Sequence, residues 1–235
     1  MKKIKLFCFP FAGGSSTFYT EWKKASDEFI DVAPLEYKGR GKRVKEKFYS
    51  NFEEGIIDLF NEIEPLISKE NYAFFGHSMG SLVAYELTHL ISQHGYNPPC
   101  HIFVSGRNSP EHKNPFVSNL TNLSDNEFVE YISKLGGIPT ELLLNKELLS
   151  YFLPIIRSDI NNLNNYSFKS RDKLSTNLSV FYGLEDPLTV INNDWANYTN
   201  NNCDTHIFQG NHFFIKDNVL EVMGLINQTL KTYRA

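Results

Sequence analysis

Only three cysteines occur among the 235 residues, and they lie far apart, at Cys8, Cys100 and Cys203. An odd number of scattered cysteines fits neither a disulfide framework nor the close Cys/His spacing of a metal site. We therefore expect reduced thiols, a cytoplasmic location and no bound metal.

Long apolar runs are also missing. No stretch approaches the roughly 18–20 apolar residues that are needed to cross a bilayer. The lysines at positions 2, 3 and 5, followed by apolar residues 6–9, resemble the start of a signal peptide, but the apolar stretch is short and Pro10 interrupts it. We read these residues as a buried strand and expect no contact with a membrane.

The sequence has no block of positive charge. Its 27 acidic and 23 basic residues give a net charge of -4, and the basic residues are dispersed. A nucleic-acid-binding surface needs clustered positive charge, so we expect no nucleic-acid partner. The chain is long enough to bury a full core, and we expect residues 1–235 to form one domain and to act as a monomer.

Short apolar runs alternate with helical patterns on both sides of a central segment. The runs predict strands at residues 4–9, 30–35, 72–75, 101–105, 178–182 and 205–208. Apolar residues at three- and four-residue spacing predict helices at 18–29, 52–67, 79–93, 194–198 and 219–231. Residues 108–173 contain only helical stretches, near 125–135 and 146–162. This order predicts an α/β fold with a mostly parallel sheet and a helical lid insertion at 108–173.

One serine stands between two glycines where the third predicted strand ends and a helix begins. The segment is Gly76-His77-Ser78-Met79-Gly80. It fits the Gly-x-Ser-x-Gly nucleophile elbow, a tight turn that exposes a serine hydroxyl at the top of a sheet. The flanking glycines suit such a turn, because strand and helix approach closely on either side of a strained residue.

A serine nucleophile needs a neutral imidazole as base and a carboxylate that orients the imidazole. Of seven histidines, only His212 follows a late strand through a glycine turn and precedes the last helix. Asp186 directly follows the 178–182 strand and its Gly183 turn, and we assign it as the acid, although an aspartate before Pro187 is also a common turn former. We expect the other six histidines to be structural: His77, His89, His94, His101, His112 and His206.

Two backbone N–H groups are needed to stabilise the oxyanion of a tetrahedral intermediate. One is expected from Met79, the residue after the nucleophile. The other is expected from the turn after the first strand, Phe11-Ala12-Gly13-Gly14, where Ala12 is our assignment and Phe11 the alternative.

Several motifs in order along the chain together resemble the type II (external) thioesterases that accompany nonribosomal peptide and polyketide synthetases. They are Phe9-Pro10-Phe11-Ala12-Gly13-Gly14-Ser15, Gly39-Arg40-Gly41, the elbow, Gly136-Gly137-Ile138-Pro139, Leu153-Pro154 with Arg157-Ser158-Asp159, and Gly210-Asn211-His212-Phe213-Phe214. The sequence departs from many family members in carrying Phe11 in place of histidine and Phe214 in place of an aliphatic residue.

The resemblance implies an α/β-hydrolase fold and an enzyme that binds no cofactor of its own. It implies hydrolysis of acyl, aminoacyl or peptidyl groups from the 4′-phosphopantetheine arm of carrier proteins, which clears misprimed or stalled synthetase modules. The family's triad falls on Ser78, Asp186 and His212. The lid would shield an acyl channel, and Gly136-Gly137 would act as its hinge.

Other functions stay open at this point. A general carboxylesterase or a chain-terminating fatty-acyl thioesterase has the same fold and triad, and a non-catalytic binding protein is a third class. Apolar lid residues are candidates either for channel lining or for lid core: Leu142, Leu143, Leu144, Leu148, Leu149, Phe152 and Leu153. Arg40, Lys42 and Arg43 either meet an acidic carrier helix or lie on a solvated loop.

Overall fold

Six parallel strands form one sheet, in the order β2-β1-β3-β4-β5-β6. The computed structural model describes residues 3–68, 71–113, 117–118, 120–135 and 145–234. The strands are β1 (Ile4–Phe9), β2 (Ile30–Pro34), β3 (Tyr72–His77), β4 (His101–Ser105), β5 (Asn177–Gly183) and β6 (Cys203–Phe208). Every neighbouring pair is parallel, so all six carboxyl ends lie at one edge of the sheet.

Helices cover both faces of the sheet. They are α1 (Trp22–Ala25), α2 (Phe52–Ile67), α3 (Met79–Gln93), α4 (Asp125–Lys134), α5 (Lys146–Asn165), α6 (Phe214–Asp217) and α7 (Val219–Lys231). Short 3-10 turns occur at Ser16–Tyr19, Gly41–Arg43, Leu120–Asn122 and Asp194–Tyr198. Helices α2 and α3 pack on one face of the sheet, and α1 and α7 pack on the other. Because both faces are covered, the inner strands are almost entirely buried and mostly apolar, as the short apolar runs predict.

Within residues 108–173, the described part of the chain contains helices and no strand. Helix α4 begins with a capping box, in which Ser124 and Glu127 bond reciprocally across the first turn. Helices α4 and α5 share a small apolar core that is formed by Leu120, Phe128, Ile132 and Ile160. The predicted Gly136-Gly137 hinge and residues 142–144 lie outside the described residues.

The predicted helix at residues 18–29 is wrong. The segment forms a 3-10 turn at Ser16–Tyr19 and then the single turn α1, because Ser26 is extended, with ψ 144°. Tyr19 and Trp22 nevertheless reach the core, where their rings pack edge-to-face with centroids 5.0 Å apart. Of Phe18, Trp22 and Ala25, whose spacing predicted the helix, only Trp22 is buried, and the need to enter β2 at Ile30 ended the helix early.

No helix among the described residues is both long and apolar enough to cross a bilayer. In the same residues, no cluster of His, Cys, Asp or Glu is placed to hold a metal ion. The three cysteines are unpaired. Burial raises the pKa of Cys100 to about 12 and that of Cys203 to about 11, so neither is activated as a nucleophile.

Candidate active site

Ser78 occupies the strained turn that the elbow motif predicts. Its φ of 54° and ψ of -111° make it the one non-glycine residue with positive φ in the described chain. The Ser78 amide donates to the Ser105 carbonyl oxygen at 2.7 Å, which ties the turn to β4. A Cβ on Gly76 would lie 2.0 Å from the Gly80 oxygen, and a Cβ on Gly80 would lie 2.0 Å from the Phe9 oxygen. Both glycines are therefore required by close backbone approach.

Asp186 and His212 meet on two loops at the carboxyl ends of β5 and β6. The two loops are in close backbone contact: a Cβ on Gly183 would lie 2.5 Å from the Asn211 backbone carbonyl oxygen. His212 Nδ1 lies 2.8 Å from Asp186 Oδ2, and the Leu188 amide donates to Asp186 Oδ1 at 2.8 Å. A carboxylate can only accept, so Nδ1 carries the hydrogen and Nε2 is left free to act as a base.

Ser78 and His212 face one cavity of about 410 Å³. No hydrogen bond joins Ser78 Oγ to His212 among the described contacts. Catalytic hydrogen bonds are often long or poorly aligned without substrate and tighten only in the substrate complex. The structure thus brings all three predicted triad residues to the same edge of the sheet.

The turn after β1 reaches the same cavity. The Gly14 amide donates to the Phe11 oxygen at 2.8 Å, and Gly13 has a φ of 79°, so residues 11–14 form a tight turn that needs glycine. In the described part of the chain, the amides of Ala12 and Met79 donate to no acceptor. The same holds for Phe11, so both candidate donors of the turn remain.

Two charged side chains, Asp159 and Arg40, hold this turn in place, and Glu36 binds the segment that follows it. Asp159 of α5 accepts from the Gly13 amide at 2.7 Å and forms a bidentate pair with Arg40, at 2.5 and 2.7 Å. Arg40 also donates to the Gly14 oxygen at 3.2 Å, and Glu36 accepts from the Ser16 amide at 3.1 Å. Although burial lowers the pKa of Arg40, its hydrogen bond to Asp159 raises that pKa above the ordinary value.

The suggestion that Arg40, Lys42 and Arg43 meet an acidic partner is wrong for Arg40, which is buried in its pair with Asp159. Arg43 binds Glu46 and Asp58, each at 2.7 Å, and Lys42 lies 3.6 Å from Glu62. The pairing of Arg40 with Asp159 was not predicted from the sequence. The Gly39-Arg40-Gly41 and Arg157-Ser158-Asp159 motifs were its signal, but no pattern shows that two motifs 119 positions apart meet.

Among the other histidines, His77 lies closest to the candidate triad. It is fully buried, its Nδ1 lies 2.9 Å from Ser105 Oγ, and its ring centroid is 5.0 Å from that of His212. Burial lowers the pKa of His77 well below its usual value, and the neighbouring His212 lowers it further. His77 is therefore a neutral ring that supports His212.

The cavity is mostly apolar. Part of its wall comes from the lid, through residues that include Ile132, Leu135, Phe152, Ile156 and Ile160. Of the lid residues considered from the sequence, Phe152 lines the cavity, Leu153 packs in the lid core, and Leu148 is 44% exposed. An apolar acyl chain that extends from Ser78 would therefore contact the lid helices.

The chain resembles known proteins over most of its length. A protein-family model described as "Thioesterase domain" matches residues 4–230. The linear gramicidin dehydrogenase LgrE of Brevibacillus parabrevis is 34% identical, over 98% of this chain and 89% of that protein. The medium-chain S-acyl fatty acid synthase thioesterase of Rattus norvegicus is 30% identical, over 90% of this chain and 81% of that protein.

Solved structures agree in fold. ClbQ, from the colibactin nonribosomal peptide/polyketide pathway, superposes with a TM-score of 0.93 at 34% identity, over 98% of both chains.

The name of LgrE refers to a dehydrogenase, but here β1 is followed by Pro-Phe-Ala-Gly-Gly-Ser and not by the Gly-x-Gly-x-x-Gly turn that commonly holds a dinucleotide. Two further solved structures that the chain resembles are named as type II thioesterases. The chain therefore belongs to the thioesterase domain family and, within it, to the type II thioesterases of nonribosomal peptide and polyketide biosynthesis.

Proposed function

We propose that the protein hydrolyses acyl thioesters on the 4′-phosphopantetheine arm of carrier proteins, with Ser78 as nucleophile, His212 as base and Asp186 as the acid that orients it. The observation that carries the proposal is the 2.8 Å contact between His212 Nδ1 and Asp186 Oδ2, on loops that place His212 in the same cavity as Ser78. The enzyme uses no cofactor of its own, since the phosphopantetheine belongs to the substrate.

The reaction proceeds in two halves. His212 Nε2 takes the Ser78 proton as Oγ attacks the thioester carbon, and the resulting oxyanion accepts hydrogen bonds from the Met79 amide and from the Ala12 or Phe11 amide. Collapse of the intermediate breaks the C–S bond, and the imidazolium protonates the departing thiolate. A water that is deprotonated by His212 then attacks the acyl-enzyme, and collapse releases the acid and returns the proton to Ser78.

The apolar cavity supports an acyl substrate. Its lid wall excludes water from the acyl chain. A chain-terminating fatty-acyl thioesterase is the second candidate, favoured by the 30% identity to the rat fatty acid synthase thioesterase. The two functions differ in the load that is removed fastest: short or aminoacyl groups for an editing enzyme, and medium-length acyl chains for a terminating one.

The decisive experiment compares kcat/KM on acetyl-, aminoacyl- and octanoyl-loaded carrier proteins, on the matching free pantetheine thioesters and on an aryl ester. We expect the carrier-bound thioesters to be preferred and all turnover to be lost in Ser78→Ala. Ser150→Ala, at an exposed serine of α5, is the matched control and should retain full activity. Preference for the aryl ester would contradict the carrier-protein function, and preference for octanoyl loads would favour chain termination.

A further inference from the structure

The turn that provides the proposed oxyanion donor is held by a side chain of the lid. Asp159 lies in α5, and its Oδ2 accepts from the Gly13 amide at 2.7 Å. Gly13 is the residue after Ala12, so this bond fixes the orientation of the peptide that joins them. At the other end of the turn, Arg40 donates to the Gly14 oxygen at 3.2 Å.

Asp159 and Arg40 are in turn fixed by each other. Their side chains are 5% and 3% exposed, and two parallel hydrogen bonds join them. Planar bidentate pairs of this kind define geometry as well as energy. Arg40 Nε is buried and has no partner among the described residues, so the two Nη groups make all of the arginine's hydrogen bonds.

The helix that carries Asp159 is itself attached to the core. The Asn162 side chain donates to the Tyr49 backbone carbonyl oxygen at 3.3 Å, and the hydroxyl of Tyr166, at the end of α5, donates to Glu86 of α3 at 2.6 Å. A Cβ on Gly13 would lie 2.4 Å from Ile156 of α5, so helix and turn are also in direct contact. In this structure, α5 is therefore a fixed wall of the site.

From these contacts we propose that Asp159 and Arg40 are positioning residues that hold the turn at residues 11–14 in its oxyanion-binding geometry. The lid helix α5 thereby forms part of the machinery that stabilises the transition state, in addition to covering the acyl chain. This inference rests on the proposed triad chemistry but not on the nature of the leaving group, because thioester and aryl ester hydrolysis both pass through an oxyanion.

Single substitutions are poor tests, since removing one partner of a buried pair leaves an uncompensated charge and destabilises the fold. Replacing both partners with apolar residues is often tolerated. We therefore compare Arg40→Met/Asp159→Leu, which removes both anchors of the turn, with Arg40→Met/Asp159→Asn, whose amide oxygen can still accept from the Gly13 N–H. The pair of variants isolates that one hydrogen bond.

We measure kcat, normalised to the concentration of titrated Ser78, and KM on an aryl ester and on a thioester. We also measure the inhibition constant of an alkyl boronic acid. We expect the Met/Leu variant to lose about 30-fold in kcat with little change in KM, because the donors act only on the developing oxyanion. The boronic acid, whose tetrahedral adduct places an oxygen in the same hole, should bind about 30-fold more weakly. The Met/Asn variant should recover most of both losses.

Arg157→Gln is the matched control. Arg157 lies two positions earlier in α5, where it pairs with Asp125 at 2.8 Å on the lid surface. We expect it to change thermal stability without changing kcat per active site. Wild-type kcat and boronate affinity in the Met/Leu variant would overturn the inference, and equal losses in the Met/Leu and Met/Asn variants would overturn the role given to the hydrogen bond between Asp159 and the Gly13 amide. Absence of Ser78-dependent turnover in the wild type would instead contradict the proposed function.

Discussion

The imidazole rings of His77 and His212 lie with 5.0 Å between their centroids. His77 belongs to the elbow and His212 to the loop after β6, so the contact joins the nucleophile's turn to its proposed base. Phe11 and Phe213 pack against the same ring of His77, with centroids 6.0 and 5.9 Å away. His212 therefore packs against a cluster of rings, of which His77 is buried and Phe11 and Phe213 are half-buried.

Removal of the His77 ring should disturb the base. We expect His77→Ala to lower kcat by about 10-fold or more, because His212 loses the surface that fixes its tilt, and to lower the free energy of unfolding by about 3 kcal/mol. His77→Phe keeps a ring in place and should retain most of the activity. Since His77 is neutral, that variant should also keep the wild-type pH–rate profile. A shifted profile would show that His77 carries charge in the working enzyme.

Asp186 is expected to act through the tautomer of His212. Asp186→Asn keeps the size of the side chain but removes the acceptor that holds the hydrogen on Nδ1, and kcat should fall by about 10³- to 10⁴-fold. Circular dichroism and thermal unfolding should show a folded protein. Glu185→Gln, at the exposed neighbouring carboxylate, is the control and should remain active. An active Asp186→Asn protein would leave Asp186 with only its turn-forming role.

The elbow glycines should tolerate no side chain. In Gly80→Ala, the new Cβ would lie 2.0 Å from the Phe9 oxygen. Backbone cannot move aside as a rotamer can, so we expect a cost of at least about 3 kcal/mol or failure to fold. Gly224→Ala in α7 is the matched control, since its Cβ would meet nothing within 4 Å. That variant should gain up to about 1 kcal/mol in urea unfolding, because alanine favours a helix.

Stability should decrease in mild acid because of buried histidines. Burial lowers the pKa of His89 and of His101 from 6.5 to about 4, with smaller effects from Arg171 and His206. Between these values the unfolded chain binds more protons than the folded one, so the contribution is complete above pH 6.5 and is lost as the pH falls toward 4. We expect each histidine to lower the free energy of unfolding by about 2 kcal/mol between pH 7 and pH 4.5.

Urea unfolding at pH 7, 5.5 and 4.5 measures this loss. His89→Leu/His101→Gln should flatten the dependence on pH, although the variant is less stable at neutral pH. His112→Gln, at an exposed histidine, is the control and should leave the pH dependence of stability unchanged. Parallel curves for the double variant and the wild type would mean that other groups cause the acid sensitivity.

The lid wall should influence the choice of acyl chain. Phe152→Ala enlarges the cavity on the lid side, and we expect kcat/KM for octanoyl relative to acetyl thioesters to rise by about 5-fold or more, in line with 1–3 kcal/mol for a change in apolar fit. Tyr151→Ala, at the neighbouring exposed residue, is the control and should leave the octanoyl-to-acetyl ratio of kcat/KM unchanged. An unchanged ratio in Phe152→Ala would place the acyl chain elsewhere.

Local patterns predicted most of the scaffold. The strands, the long helices α2, α3 and α7, and the two described lid helices agree with their predicted positions to within a few residues, because each has a strong apolar period or a cap. The predicted length of the helix near Trp22 was wrong, because a single row of aromatic residues does not show where the chain must turn back into the sheet. Helix α6 was missed, because four residues are too few to show a period.

Chain order and turn chemistry led to Ser78, Asp186 and His212, because glycine-flanked loops after parallel strands converge at one edge of a sheet. The sequence by itself thus determined which side chains could serve as nucleophile, acid and base. Only the tertiary structure decided that Arg40 is buried against Asp159 and that His77 lies against His212. Such contacts depend on how the lid and the loops pack on the sheet, and no period along the chain records the distance between elements that are far apart in sequence.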